Sequence, residues 1–104
     1  MIVLHIDTRD SSRIVAKIDK DGQIFEKIST TETRRPESIL LLVEAVRQDA
    51  EIDIDEIDEI RAEEGPGSYT GLKVGVSVAN ALSFSLEKKV NGHLLGEFAE
   101  PKYQ

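Results

Sequence analysis

The stretch EEGPGSYTGLKVG, residues 63–75, concentrates four glycines, one proline and two aliphatic hydroxyl side chains in thirteen positions. Glycine is favoured where a backbone must approach a neighbouring group closely or adopt a conformation that a side chain disfavours. The stretch lies between a predicted short strand and a helix that begins at Ser68 or Tyr69. Such a junction brings backbone amides and the positive end of a helix dipole together, which suits an anion. The stretch therefore predicts either a phosphate site or a close contact with protein.

The rest of the sequence predicts a mixed α/β domain. Asp21-Gly22 is a strong signal for a β-hairpin, and Pro36 suits the first position of an amphipathic helix. The predicted elements are strands at 2–7, 13–19 and 23–29, a helix at 36–48, a strand at 59–64, a helix at 69–86 and a strand at about 89–94. This β-β-β-α-β-α-β order indicates one mixed sheet with helices packed on it. We expect one domain at 1–95 and a tail at 96–104.

The acidic residues 50–60 carry isoleucines at positions 52, 54, 57 and 60. We interpret this segment as a solvated connection whose isoleucines dock on the core. A metal-binding loop is the alternative, but the glycine that turns a calcium loop is missing.

Composition excludes several classes of function. The 104-residue chain has a formal net charge of −7, which argues against tight direct binding of nucleic acid because phosphate affinity depends on Lys and Arg. It has no cysteine, and His5 and His93 are far apart, so a zinc site is not expected. The apolar first four residues are too short for a membrane span, and we expect no membrane association.

The glycine stretch matches neither of two common phosphate motifs. Its spacing differs from the Walker A loop and from the dinucleotide fingerprint, and Glu63 and Glu64 would repel an anion. A nucleotide site is still a hypothesis, and its residues would be Asp7, Thr8, Gly65, Gly67, Ser68 and Thr70. For Asp7, a turn with the backbone of Arg9 is the competing interpretation. No catalytic residue or metal ligand is assigned.

Small residues recur at every fourth position in the second helix, at Gly71, Gly75, Ala79 and Ser83. Each glycine costs about 1 kcal/mol against alanine inside a helix, so a close contact is expected to offset that cost. The ridge either seats the helix on its own sheet or faces a partner helix. For the second alternative, the candidate interface consists of Ile39, Leu42, Val43, Val46, Tyr69, Gly71, Leu72, Gly75, Ala79 and Ser83.

Three stretches resemble one family. GPGSYTGLKVGVSVANAL (65–82) is similar to the glycine-rich signature of the TsaB (YeaZ) family of tRNA threonylcarbamoyladenosine biosynthesis proteins, in which GPGSFTGLRVG is typical. VLHIDT (3–8) resembles the family's first strand, and PESILLLVEAV (36–46) lies where its first long helix is found. The resemblance implies a ribonuclease-H-like lobe of the actin-like ATPase superfamily. The family normally continues in a second lobe, and its His-Ser pair is replaced here by residues 34–37.

The resemblance also implies a role. Family members are non-catalytic partners of TsaD, which modifies the adenosine beside the anticodon, with TsaE as the associated ATPase. It implies a cytoplasmic subunit that docks a TsaD-like enzyme through its two helices, or forms a homodimer when alone. No cofactor is expected, and ATP or ADP would be bound only in a complex, because nucleotides in this superfamily lie between two lobes. The alternatives are a small nucleotide-phosphate module and a homodimer without a role in tRNA modification.

Overall fold

The structure, a computed structural model, describes residues 1–10, 12–30, 35–93 and 99–101. The described elements follow the predicted order, so the mixed α/β prediction is confirmed. The strands are β1 (Ile2–Asp7), β2 (Ile14–Lys20), β3 (Gln23–Ser29), β4 (Glu59–Ala62) and β5 (Lys89–Val90), and the helices are α1 (Pro36–Ala50) and α2 (Tyr69–Leu86). The last strand was predicted to reach Leu94, which lies outside the described residues.

The five strands form one sheet in the order β3-β2-β1-β4-β5. β1 pairs antiparallel with β2 and parallel with β4, so the first strand of the chain lies at the centre. Asp21 and Gly22 connect β2 to β3 with φ angles of 53° and 95°. A two-residue hairpin turn needs such positive φ angles to match the twist of its strands. The predicted hairpin is therefore confirmed.

Both helices cover the same face of the sheet. In the register of the strands, Leu4 lies beside Ile18 on one side and Ile60 on the other, and all three are fully buried. α1 packs on β2 and β3, α2 packs mainly on β4 and β5, and the helices contact each other. The buried side chains of α1 are Ile39, Val43, Val46 and Ala50. Burying a large aliphatic side chain contributes about 1.5–3 kcal/mol, so the packing of this layer stabilises the fold.

The opposite face of the sheet is open among the described residues. On β1 it carries Val3, His5 and Asp7, which are only partly buried. Parallel strands such as β1, β4 and β5 are usually covered on both faces. The uncovered face is therefore unusual for this arrangement of strands, and it holds the pockets described below.

The acidic segment and part of the predicted tail both pack on the core. Ile52 is 3% exposed and Ile57 is fully buried, which confirms that these isoleucines dock on the core. Ala99 is 3% exposed, and the Asn80 side chain binds both its backbone N–H and its carbonyl. The part of the tail around Ala99 thus packs against α2.

The ridge of small residues on α2 faces the end of β1. A Cβ atom added to Gly71 would lie 2.3 Å from the Thr8 carbonyl oxygen, and one added to Gly75 would lie 2.0 Å from Thr8 Oγ1. Thr8 is 4% exposed, and its hydroxyl donates to the Gly71 carbonyl at 2.6 Å. The two glycines therefore let α2 rest directly on the residue that follows β1.

We predict that Gly75→Ala destabilises the protein by about 1–2 kcal/mol, because the new methyl group overlaps Thr8 and the cost of overpacking, up to about 3 kcal/mol, exceeds the roughly 1 kcal/mol that alanine gains over glycine in a helix. Urea unfolding measures the loss. Ser77→Ala, on the exposed side of the same helix, is the matched control and should change stability by less than about 0.5 kcal/mol. In the double variant with Thr8→Ala, the loss should be smaller than the sum of the two single losses. Additive losses would show that Thr8 and Gly75 are not in contact.

Candidate functional site

Residues 63–68 connect β4 to α2, and we call them the glycine loop. This loop packs against the turn that follows β1. A Cβ atom on Gly67 would lie 2.8–2.9 Å from Arg9 Cβ, Cα and carbonyl oxygen, so only glycine fits. The Ser68 backbone N–H donates to the Arg9 carbonyl at 2.8 Å. Gly65 has a φ of 118°, a conformation that also favours glycine. The group that approaches this loop is therefore the chain's own first turn.

Two of the three hydroxyl groups of the predicted nucleotide site, those of Thr8 and Ser68, already have partners within the chain. Ser68 is the N-cap of α2, and its side-chain oxygen accepts from the Gly71 N–H at 3.3 Å. Such a cap satisfies one of the free amides at a helix start. The Thr8 hydroxyl is bound to Gly71, while Thr70 is half-buried in the first turn. An incoming phosphate would have to displace these contacts.

Asp7 lies beside the loop and is held by Arg9. Its carboxylate accepts from the Arg9 backbone N–H at 3.0 Å and from the guanidinium at 3.0 and 3.1 Å. Burial raises the pKa of Asp7, but the hydrogen bonds from Arg9 outweigh burial and the pKa lies below its usual value. The predicted turn with Arg9 is confirmed. Among the residues that the structure describes, no group of three His, Cys, Asp or Glu side chains could hold a metal ion.

Two adjoining pockets open on this side of the sheet. The smaller, about 300 Å³, is lined by Asp7, Arg9, Asp10, Arg13, Val15, Pro66 and Gly67. The larger, about 610 Å³, extends over the open face and shares Asp7, Arg9 and Arg13 with it. A phosphate could reach Arg13 and Arg9, but the nearby Asp7 and Asp10 carboxylates would repel it. The structure thus brings Asp7 and Gly67 to one pocket, whereas Thr8 is buried behind it.

His5 lies at the centre of the open face, between two cations. Its neighbours in the register are Lys17 on β2 and Arg61 on β4. Burial lowers the pKa of His5, the charges of Lys17 and Arg61 lower it further, and the carboxylates of Asp19 and Glu63 offset only part of this effect. Protonation of His5 is therefore disfavoured in the folded protein.

The two helices present a different surface from the one predicted. Seven of the ten predicted interface residues are buried by the chain itself, namely Ile39, Val43, Val46, Leu72, Gly75, Ala79 and Ser83. Leu42 and Gly71 are half-buried, and of the ten only Tyr69 is well exposed, at 62%. The assignment of the buried seven to a partner surface is corrected, because the stripe that contacts the sheet cannot also contact a second protein.

The exposed side of the helices carries apolar residues that the sequence analysis did not select. Leu41 on α1 is 72% exposed and Phe84 on α2 is 75% exposed, with Leu40 also exposed. Along α2, every fourth residue from Lys73 onward is exposed, namely Lys73, Ser77, Ala81 and Ser85. We call Leu40, Leu41, Tyr69, Ser77, Ala81, Phe84 and Ser85 the helical surface. The sequence could have indicated an exposed apolar residue on α1, because Leu41 falls outside the apolar stripe of that helix.

No helix in the described part of the chain is long and apolar enough to cross a membrane.

We predict that stability falls as the pH is lowered below about 6.5, the ordinary pKa of histidine, because the unfolded chain then binds a proton at His5 that the folded chain does not. Above this pH His5 is neutral in both states and contributes no slope. His5→Gln should flatten the pH dependence between 6.5 and the lower folded pKa, measured by urea unfolding. Lys17→Gln is a second variant, and it should raise the pKa of the His5 ring in an NMR titration. A ring pKa at or above 6.5 in the unmodified protein would contradict this account.

Comparison with known proteins places these features in a family. The family model described as TsaD, tRNA N6-adenosine threonylcarbamoyltransferase, matches residues 29–95, well over half of the chain. Bacillus subtilis tRNA threonylcarbamoyladenosine biosynthesis protein TsaB is 30% identical over 87 residues, which cover 84% of this chain and 38% of that protein. The tRNA N6-adenosine threonylcarbamoyltransferase of Kosmotoga olearia is 44% identical over 63 residues, which cover 58% of this chain and 19% of that enzyme.

A solved structure of YeaZ from Pseudomonas aeruginosa has the same fold, with a TM-score of 0.80 at 21% identity over 86% of this chain and 43% of that chain. The ribonuclease-H-like fold expected from the sequence is thereby confirmed. The chain spans less than half the length of each of these three relatives. This chain belongs to the family of TsaD, tRNA N6-adenosine threonylcarbamoyltransferase, and of the related TsaB (YeaZ) proteins.

Proposed function

We propose that this chain is a non-catalytic, cytoplasmic subunit that acts in tRNA threonylcarbamoyladenosine biosynthesis, the process for which its TsaB relatives are named. Membership of the family supports the pathway, and the match extends over α1, the glycine loop and α2. The glycine loop supports the non-catalytic role, because the chain's own turn fills the space beside it. In this proposal a TsaD-like enzyme provides the reacting groups, and a TsaE-like ATPase acts on the assembled complex.

The helical surface is the proposed docking site for the TsaD-like enzyme. Covering large apolar side chains that are about three-quarters exposed is expected to stabilise a complex with a partner. Ser77, Ala81 and Ser85 lie at intervals of one helical turn on the exposed side of α2, and such small side chains let a second helix approach closely. Without the enzyme, a second copy of this chain would cover the same surface and form a homodimer.

The observation that carries the proposal is the exposure of Leu41 and Phe84, at 72% and 75%, on helices that the family match includes. Neither side chain contributes to the core cluster. Their substitution should therefore affect association without unfolding the chain.

We predict that the double variant Leu41→Glu/Phe84→Glu binds a TsaD-like protein from the same genome at least about tenfold more weakly than the unmodified chain, since central apolar residues carry most of the free energy of an interface. Isothermal titration calorimetry measures the affinity, and size-exclusion chromatography measures the homodimer.

The matched control is Ile24→Glu/Ile28→Glu, which adds the same two charges at exposed apolar positions on the open face of the sheet, opposite the face that α1 and α2 cover. It should bind as the unmodified chain does. Equal binding by the helix variant and the unmodified chain would contradict docking at the helical surface, while leaving family membership intact.

A nucleotide-phosphate module is the second candidate function. The pocket beside Asp7 favours it, because Arg9 and Arg13 line that pocket together with Gly67 of the glycine loop. Its residues would be the six assigned from the sequence, which are Asp7, Thr8, Gly65, Gly67, Ser68 and Thr70. The acidic neighbours and the internal contacts of Thr8 and Ser68 weigh against it.

We predict that the isolated chain binds neither ATP nor ADP at micromolar concentrations, because a phosphate in this pocket would lie beside the Asp7 and Asp10 carboxylates. Isothermal titration calorimetry with each nucleotide, with and without magnesium, tests this expectation. Micromolar binding that Arg13→Glu abolishes would favour the second candidate over the docking subunit.

A further inference from the structure

The outer edge of β3 is a second surface that could accept a partner. β3 ends the sheet in the described part of the chain, where it pairs with β2 only. An edge strand presents backbone N–H and carbonyl groups that another extended segment can pair with. At seven residues, β3 is long enough for several such hydrogen bonds.

Side chains divide β3 into a closed face and an open face. On the closed face, Phe25 packs on the core, and Lys27 forms an ion pair of 3.1 Å with Asp49 of α1. On the open face, Ile24 and Ile28 are 52% and 49% exposed. Glu26 lies between them, opposite Lys17 of β2 in the register. A strand added at this edge would therefore meet an apolar–acidic–apolar row.

The row discriminates against a second copy of the same strand. Opposed residues of an antiparallel pair lie on the same face, so the pairing that brings Ile24 against Ile28 of the other copy must place Glu26 against Glu26. Like charges that are directly opposed destabilise a pair of strands. Shifting the register by two residues leaves Glu26 against an isoleucine instead. Antiparallel self-pairing thus never satisfies Glu26.

We propose that the outer edge of β3 binds an extended segment of a partner protein. The segment has a Lys or Arg at its centre and an apolar residue two positions before it and two positions after it. β2 already shows this pairing on the inner side of β3, where Val15 lies opposite Ile28 and Lys17 lies opposite Glu26. Main-chain hydrogen bonds supply affinity in such strand addition, and the alternate side chains supply selectivity. This surface is distinct from the helical surface, and the proposal does not depend on the proposed function.

The test uses two synthetic peptides derived from residues 13–20, RIVAKIDK, both carrying Asp19→Val so that an apolar residue faces Ile24. One peptide keeps the lysine, and the other carries Lys17→Glu. Each is titrated to millimolar concentration into the isotope-labelled 104-residue chain and followed by NMR. We expect the lysine peptide to shift the amide signals of β3 and to bind about fivefold more tightly than the glutamate peptide, because an attractive cross-strand pair replaces a repulsive one.

Glu26→Lys should reverse the preference between the two peptides. Glu87→Lys, which makes the same charge change at the exposed end of α2, is the matched control and should leave the preference as it is. Absence of binding by both peptides would overturn the proposal. Equal binding of the two peptides, signals that shift mainly in β2 or α1, or β3 signals that shift on dilution without peptide would also overturn it.

Discussion

The contact between Thr8 and the two glycines of α2 is the constraint on which the arrangement of this protein depends. Thr8 follows the central strand, is almost fully buried, and bonds to the Gly71 carbonyl, while Gly75 leaves no room for a side chain beside it. Because this contact fixes which stripe of α2 faces the sheet, it also fixes which stripe faces solvent. Ser77, Ala81 and Phe84 are therefore exposed because α2 contacts the residue after β1 through its opposite stripe.

The same constraint explains the glycine loop. Once α2 rests on Thr8, the loop before it must pass Arg9 within van der Waals distance, and Gly67 permits that passage. Arg9 in turn holds Asp7, so the end of β1, the loop and the start of α2 form one connected unit. Groups that could have bound a ligand are used to hold this unit together. That use is consistent with a subunit that acts by association.

The two proposed surfaces differ in the chemistry that would select a partner. The helical surface combines large exposed apolar side chains with small ones, so shape and burial of apolar area would dominate there. The edge of β3 combines backbone pairing with one carboxylate, so a single charge would discriminate between partners. The two surfaces lie on different elements, the helical surface on α1 and α2 and the other at the edge strand β3. The net charge of −7 disfavours direct binding of tRNA, because affinity for its phosphates depends on Lys and Arg.

Local pattern in the sequence was sufficient for the order of the strands and helices, whereas the ribonuclease-H-like fold was expected from the resemblance to a family. The Asp21-Gly22 turn, Pro36 at a helix start and the apolar periodicities each depend on neighbours in the chain, and each was confirmed. The spacing of Gly71 and Gly75 also showed that a close contact exists. It could not show what makes the contact, because a helix with a small-residue stripe is equally suited to its own sheet or to another protein. Only the tertiary structure, which brings Thr8 across 63 positions of sequence to Gly71, decided that the sheet occupies this stripe and that Leu41 and Phe84 remain exposed.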